Sequence, residues 1–243
     1  MNCYGPLAAW YDQLTGDVPY EQCANFYEAE FARDGGEFRL LLDLCCGTGT
    51  LTALMARRGY EMIAADASVD MLMQAREKAA DLPVPPLYLL QDAEELDLYG
   101  TVDAAYCSLD GMNYLRGDAL PEVFRRLHLF VRPGGLLIFD IRTPEWLRSV
   151  DGQVFVDENE DVLCLWRADY DGETHALLYG MDLFSREGAL WRRSREEHWE
   201  YAHEPENLRA LLLNAGFTDV RFPDGAPQFG EGRLFICAKR DHT

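Results

Sequence analysis

Residues 38–52 read FRLLLDLCCGTGTLT: a continuous run of strand length, 38–46, apolar but for Arg39 and Asp43, ends in Gly47-Thr48-Gly49 and passes straight into a helical pattern, 50–58, closed by Gly59. A strand, a tight glycine turn and a helix in that order open a βαβ unit. Glycine lets the backbone approach a ligand closely, and the free amides of a helix N-terminus face it. Outward from this stretch the period repeats. Residues 60–65 read as a strand, 68–80 as a helix with Ser68 as N-cap and Asp70 in its first turn, and 86–90 as a strand. Residues 102–108 follow as a strand, 121–131 as a helix, Arg132-Pro133-Gly134-Gly135 as a turn and 136–141 as a strand. Strands alternating with short helices predict an α/β fold, Rossmann-like, whose parallel sheet carries ligand sites at the carboxyl ends of its strands.

Two helical patterns, 6–14 and 19–32, precede this core and stop at Asp34-Gly35-Gly36. After the fifth strand the rhythm changes. Between Val154 and Tyr201 lie the strand-like runs VLCLWRADY, HALLYGMDLF and ALWRRSREEHWEY, separated by Asp171-Gly172 and Glu187-Gly188, which predicts an antiparallel insertion. The core then resumes with a helix over 205–214 stopped by Gly216, and strands over 218–222 and 234–239. Together these predict one domain with a mostly parallel seven-stranded sheet. Its parts are a helical cap (1–37), a core (38–150), an antiparallel flap (151–203) and a C-terminal completion of the sheet (204–243).

Acidic residues number 42 against 22 basic ones, a net charge of −20, and the lysines are Lys78 and Lys239 alone. Such a field repels phosphate backbones, so no nucleic-acid partner is expected. Arg192, Arg193 and Arg195 alternate with Trp191, Ser194 and Glu196 and read as a solvated strand face. The start of the chain lacks a basic flank before an apolar stretch, and no membrane-length apolar run occurs, so a cytoplasmic protein is expected. The seven cysteines, Cys3, Cys23, Cys45, Cys46, Cys107, Cys164 and Cys237, form no metal-ligand spacing and read as reduced, packing thiols. No metal is expected.

The glycine turn lacks the third glycine of a pyrophosphate fingerprint, since Thr52 stands there, which weakens a dinucleotide reading. Asp66 ends the second strand nineteen positions after Gly47, where a carboxylate accepts from both ribose hydroxyls in nicotinamide enzymes and other adenosyl-binding enzymes alike. The segment LLDLCCGTGTLT resembles motif I of class I S-adenosylmethionine-dependent methyltransferases, with Cys45 where that family often has glycine. The resemblance runs from YDQLTGDVPY at the start to GRLFICAKR at the end. It is nearest to small bacterial methyltransferases of unassigned substrate, with a layout shared with amino-sugar N-methyltransferases. It implies S-adenosylmethionine as cofactor. Asp43, Cys45, Gly47, Thr48 and Gly49 would meet its methionine end, Asp66 and Ala67 its ribose. Met71, Asp92 and Ala93 would meet the adenine, and Ser108 and Leu109 lie where cofactor and acceptor meet. As plain alternatives, Asp92 caps a helix and Met71 belongs to the core.

The expected activity is methyl transfer to a nitrogen or oxygen nucleophile on a small molecule. Alternatives are an oxidoreductase, a catalytically silent cofactor-binding module, and a methyltransferase acting on RNA or protein. The chain is expected to act as a monomer or homodimer. The acceptor pocket is predicted to be walled by Tyr11 and Tyr20 from the first helices, Asp110, Asn113 and Tyr114 after the fourth strand, and Arg142 after the fifth. Aromatic faces and phenolic oxygens suit a sulfonium, which gives Tyr11 and Tyr20 a place near the cofactor. Asp110 is assigned to hold or deprotonate an amine, or Arg142 instead to anchor a carboxylate, two roles that imply different acceptors, with Tyr11 beside the transferred methyl. The plain alternative makes the tyrosines half-buried helix residues and has Asp110 and Asn113 capping a turn.

Overall fold

The structure, a computed structural model, describes residues 4–241; Cys3, counted above among the packing thiols, lies outside them. Strands β1 (Leu40–Leu44), β2 (Glu61–Asp66), β3 (Leu87–Leu90), β4 (Val102–Cys107) and β5 (Val131–Arg142) begin the main sheet. Strands β6 (Val154–Glu158), β7 (Val162–Asp171), β8 (Ala176–Glu187) and β9 (Leu190–Tyr201) make a separate antiparallel sheet. Strands β10 (Phe217–Arg221) and β11 (Arg233–Arg240) return to the first. Helices α1 (Tyr11–Leu14) and α2 (Tyr20–Asp34) precede β1. Helices α3 (Thr50–Arg57), α4 (Val69–Lys78) and α5 (Leu120–Phe130) cross over between strands. α6 (Pro144–Ser149) leaves β5, and α7 (Pro205–Asn214) leads into β10.

The main sheet runs β10-β11-β5-β4-β1-β2-β3, and only β11 lies antiparallel to its neighbours. The chain winds outward one way through β3 and the other way from β4, so β1 and β4 flank the switch point where such folds bind ligands. Both faces of the sheet are buried at its central strands β1, β4 and β5, which is why these read as largely apolar runs. Along β5, Leu137, Phe139 and Ile141 pack with Phe124 and Leu127 of α5 and Leu208 and Leu212 of α7. Leu136 and Ile138, on the other face, join Tyr27 and Phe31 of α2 and Met55 of α3.

Four elements depart from the sequence-based expectation. The predicted helix over 6–14 is reduced to α1, because the Glu196 carboxylate accepts the Tyr4 and Leu7 amides at 2.8 and 2.9 Å, holding this segment in turns. The predicted turn at 132–135 is a bulge inside β5: the pairing steps from Val102↔Val131 to Ala104↔Leu136. Glycine is required there, since a Cβ on Gly135 would lie 2.4 Å from the Asp103 carbonyl. The insertion holds a fourth strand, β6, turned by Asn159, whose side chain accepts the Asp161 and Val162 amides. Helix α6 was also not expected, although Thr143 caps it by accepting the Trp146 amide and Pro144 opens it.

The small sheet folds one face inward. Val162, Cys164, Met181 and Leu183 pack against Leu7 and half-buried Tyr4, Trp10, Tyr11 and Leu14, so the N-terminal segment lies against the insertion. Ala168, Leu177 and Tyr179 pack on Leu147 and Val150 around α6. Of the cysteines within the described residues, Cys23, Cys107, Cys164 and Cys237 are buried and Cys45 and Cys46 partly so, all with free thiols.

Candidate active site

A cleft of about 330 Å3 opens at the carboxyl ends of β1 to β4. Its floor is the glycine turn. Cys45, Gly47 and Gly49 all have left-handed backbone, at φ 56°, 54° and 68°. Cys45 adopts that conformation without being glycine, at a cost of roughly 1 kcal/mol. A Cβ on Gly47 would meet nothing within 4 Å, so the backbone there is open to the cleft, whereas one on Gly49 would lie 2.8 Å from the Ala75 Cβ. Gly49 therefore packs closely against α4, and it is absent from the lining of the cleft.

Two carboxylates shape this end. Asp66 accepts the Gly47 amide through Oδ2 and the Ser68 amide through Oδ1, both at 2.8 Å, so it ties the turn to the start of α4 while lining the cleft. Asp43 is buried and accepts from the Thr52 hydroxyl at 2.5 Å; burial pushes its carboxyl up to about 7. Around them Ala67, Met71, Asp92 and Ala93 line the cleft. Asp92 also caps the 3-10 turn Ala93–Glu95 by accepting the Glu94 amide, and Met71 is buried, so the plain descriptions hold at both positions while both side chains also line the cleft.

The other end is closed by the N-terminal segment. Thr48 lines the cleft but donates its hydroxyl to Asp12 at 2.5 Å, and Asp12 pairs with Lys78 at 2.6 Å, which also donates to Thr50. This latch brings Tyr11 and Tyr20 onto the cleft wall. Burial raises both phenols further above neutrality, so each keeps its proton. Tyr4 and Tyr114 join them, with the Tyr4 hydroxyl donating to Tyr114 at 2.5 Å.

After β4, Ser108 accepts or donates with the Tyr27 hydroxyl at 2.9 Å, and Leu109 and Asp110 both take left-handed backbone at φ 56°. That turn is held by Asp140, whose two oxygens accept the Leu109 and Asp110 amides at 2.9 and 3.0 Å. Arg233 pairs with Asp140 and, at 2.7 Å, with Asp110. Ser108 and Leu109 line the cleft.

Asp110, Asn113 and Arg142 do not line it. Asp110 is committed to Arg233. Asn113 is fully buried; its amide donates to the carbonyls of Arg142 and Tyr201, and its oxygen accepts the Arg142 amide, so it fastens the turn Gly111–Tyr114 to β5 and β9. Arg142 stacks on Trp146 at 4.3 Å and donates to the Glu231 carbonyl. These three side chains are spent on internal partners. The lining residues that sequence reasoning passed over include Tyr4, Cys46, Gln91 and Leu115. Cys46 and Gln91 directly flank positions that were singled out, while nothing local marks Tyr4.

The sequence profile of a methyltransferase-domain family matches residues 41–135. YqeM of Bacillus subtilis (strain 168), which carries a provisional methyltransferase name, is 30% identical over 248 residues, covering 99% of this chain and 98% of that protein. The chain belongs to the class I S-adenosylmethionine-dependent methyltransferases. The crystal structure of an S-adenosylmethionine-dependent methyltransferase from Clostridium acetobutylicum superposes on this methyltransferase with a TM-score of 0.85. It is 26% identical, over 99% of this chain and 100% of that one. The fold is shared with CalS10 of Micromonospora echinaspora, an amino pentose methyltransferase solved with S-adenosylmethionine bound (TM-score 0.78, 22% identical, 99% of both chains).

The cofactor of this methyltransferase is S-adenosylmethionine, and the cleft fits it in three ways. The backbone at Gly47 is open, Asp66 retains acceptor capacity beyond its two amide bonds, and Met71 and Ala93 supply apolar surface.

Proposed function

We propose that this methyltransferase transfers a methyl group to a nitrogen or oxygen nucleophile on a small molecule. When bound, S-adenosylmethionine supplies a methyl group on positively charged sulfur, which a nucleophile's lone pair takes directly. The chain's own work is to bind, align and keep water out. Asp66 holds the ribose, Met71, Asp92 and Ala93 hold the adenine, and Asp43, Cys45 and Gly47 hold the methionine end, while Tyr11, Tyr20, Ser108 and Leu109 surround the methyl.

The observation that carries the small-molecule reading is the wall across one end of the cleft. The N-terminal segment is latched to the cofactor loop through Asp12 and to the insertion through Glu196, which narrows a partly open cleft and favours a compact acceptor. The amino-pentose activity stated for CalS10 supports the same class. A screen of amines, alcohols and carboxylates for adenosylhomocysteine release tests this, with RNA and cell protein as further arms. Turnover of a small molecule is expected; turnover confined to RNA or protein would contradict it.

A further inference from the structure

Two cysteines meet where the cofactor turn leaves the main sheet. Cys45 directly follows β1 and Cys107 ends β4, one step past the registered pair Asp43↔Tyr106. Adjacent strands lie about 4.8 Å apart with a rise of about 3.3 Å per residue, which sets the two Cα atoms roughly 6 Å apart. A disulfide spans about 4.4–6.8 Å between Cα atoms. The two side chains are hydrogen-bonded to each other within the apolar cluster around β4 and β5. Gly111 closes over them. A Cβ there would lie 2.6 Å from the Cys107 Sγ and 3.0 Å from the Cys45 Cβ, so only glycine leaves room for both.

The pair is open at one end only. Cys45 is half-buried and lines the cleft, while Cys107 is fully buried and does not line it. The hydrogen bond with Cys45, and then burial, raise the Cys107 thiol well above its usual range, so it keeps its proton until a neighbour draws it into reaction. Cys45 also holds left-handed backbone at φ 56°, which glycine adopts freely, so backbone geometry does not favour a cysteine at this position. We propose that Cys45 and Cys107 form a peroxide-sensitive dithiol, oxidised to a disulfide that weakens cofactor binding. This rests on the reading that puts Cys45 at the methionine end of the cofactor, and it adds a control to that site.

The chemistry balances with hydrogen peroxide as oxidant, a molecule small enough to enter the cleft. The Cys45 sulfur attacks one peroxide oxygen, the O–O bond breaks, and a sulfenic acid and one water result. The Cys107 sulfur then attacks the Cys45 sulfur, the S–O bond breaks, and the thiol proton leaves with the hydroxyl as a second water. Two thiols and one peroxide become one disulfide and two waters. With the partner thiol already in contact, the second step is intramolecular and competes well against further oxidation. The sulfurs contract from hydrogen-bond distance to about 2.05 Å, which draws Cys45 toward β4 and shifts the floor on which the methionine end rests. Bound cofactor covers Cys45, so it opposes oxidation by the same factor by which oxidation opposes it.

The test treats the wild-type protein with hydrogen peroxide, alkylates the remaining thiols and maps the peptides by mass. Adenosylhomocysteine is titrated calorimetrically before oxidation, after it, and after dithiothreitol. A Cys45–Cys107 crosslinked peptide is expected, with affinity lowered about fivefold or more and restored by dithiothreitol. Saturating adenosylhomocysteine should slow the crosslink several-fold. Cys107→Ala removes the second thiol: reduced, it should bind adenosylhomocysteine as wild type does, and after peroxide dimedone should label Cys45. The wild-type measurements stand without the variant. No crosslink between these two residues, a link from Cys45 to Cys46 in its place, a crosslink with unchanged affinity, or Cys45 left unlabelled in the variant overturns the dithiol control alone. Failure of the reduced wild type to bind adenosylhomocysteine, read before any oxidant is added, overturns the methyl-transfer reading and this one with it.

Discussion

A carboxyl group buried against a threonine hydroxyl, as Asp43 is against Thr52, ties stability to pH in the direction opposite to a surface ion pair. Its folded value is about 7 against an ordinary 3.8, the rise coming from burial. The stability it contributes is fully present below about pH 4 and is lost as pH rises through 7, since the native state must then hold a buried charge. At about 1.4 kcal/mol for each pH unit the loss is at most about 4 kcal/mol. Asp43→Asn mimics the protonated group and should flatten this decline. Denaturant titrations of the cofactor-free protein between pH 4 and 8 measure it, and parallel curves for wild type and variant would refute the linkage. Asp110 and Asn113 carry a lesson at the same scale. Both stand just after β4, where position alone suggested the acceptor, yet their partners Arg233 and Tyr201 lie far along the chain, and those partners decided where the side chains went.

Elements defined by local chemistry were legible. Ser68 caps α4 by accepting the Met71 amide, the glycine turn follows β1, and α7 spans the residues its apolar pattern marks. The segment before α1 was not, because its amide partner Glu196 lies nearly the whole chain away. That segment has a testable role. Its Asp12 latch joins half-exposed groups, so Lys78→Met should cost less than about 1 kcal/mol of stability. It should nevertheless speed adenosylhomocysteine release several-fold, because Tyr11 and Thr48 lose their common tether. Displacement kinetics decide this, and an unchanged release rate would remove the latch. The pair between β5 and β11 is the contrasting case. Arg233→Met leaves Asp140 and Asp110 uncompensated in the interior, with an expected loss of about 3–5 kcal/mol. A melting temperature equal to wild type would contradict that.

At the scale of the molecule, 42 acidic residues against 22 basic ones oppose the counterion release on which nucleic-acid binding rests. Filter binding in low salt should retain no RNA below micromolar concentrations, and tight retention that falls steeply with added salt would count against a small acceptor. The switch point between β1 and β4 sets the position of the cleft. The Asp66 carboxylate is the polar group there on which the cofactor assignment leans most, and it already anchors Gly47 and Ser68. On the proposed ribose role, replacing it would remove ligand hydrogen bonds to a charged group, each worth about 1.5–3 kcal/mol, and loosen the turn as well. The most direct measurement is therefore calorimetric titration of wild type and Asp66→Ala with adenosylhomocysteine: the account predicts binding by wild type and a loss of about tenfold or more in the variant, and no binding by wild type, or equal affinity in both, would contradict it.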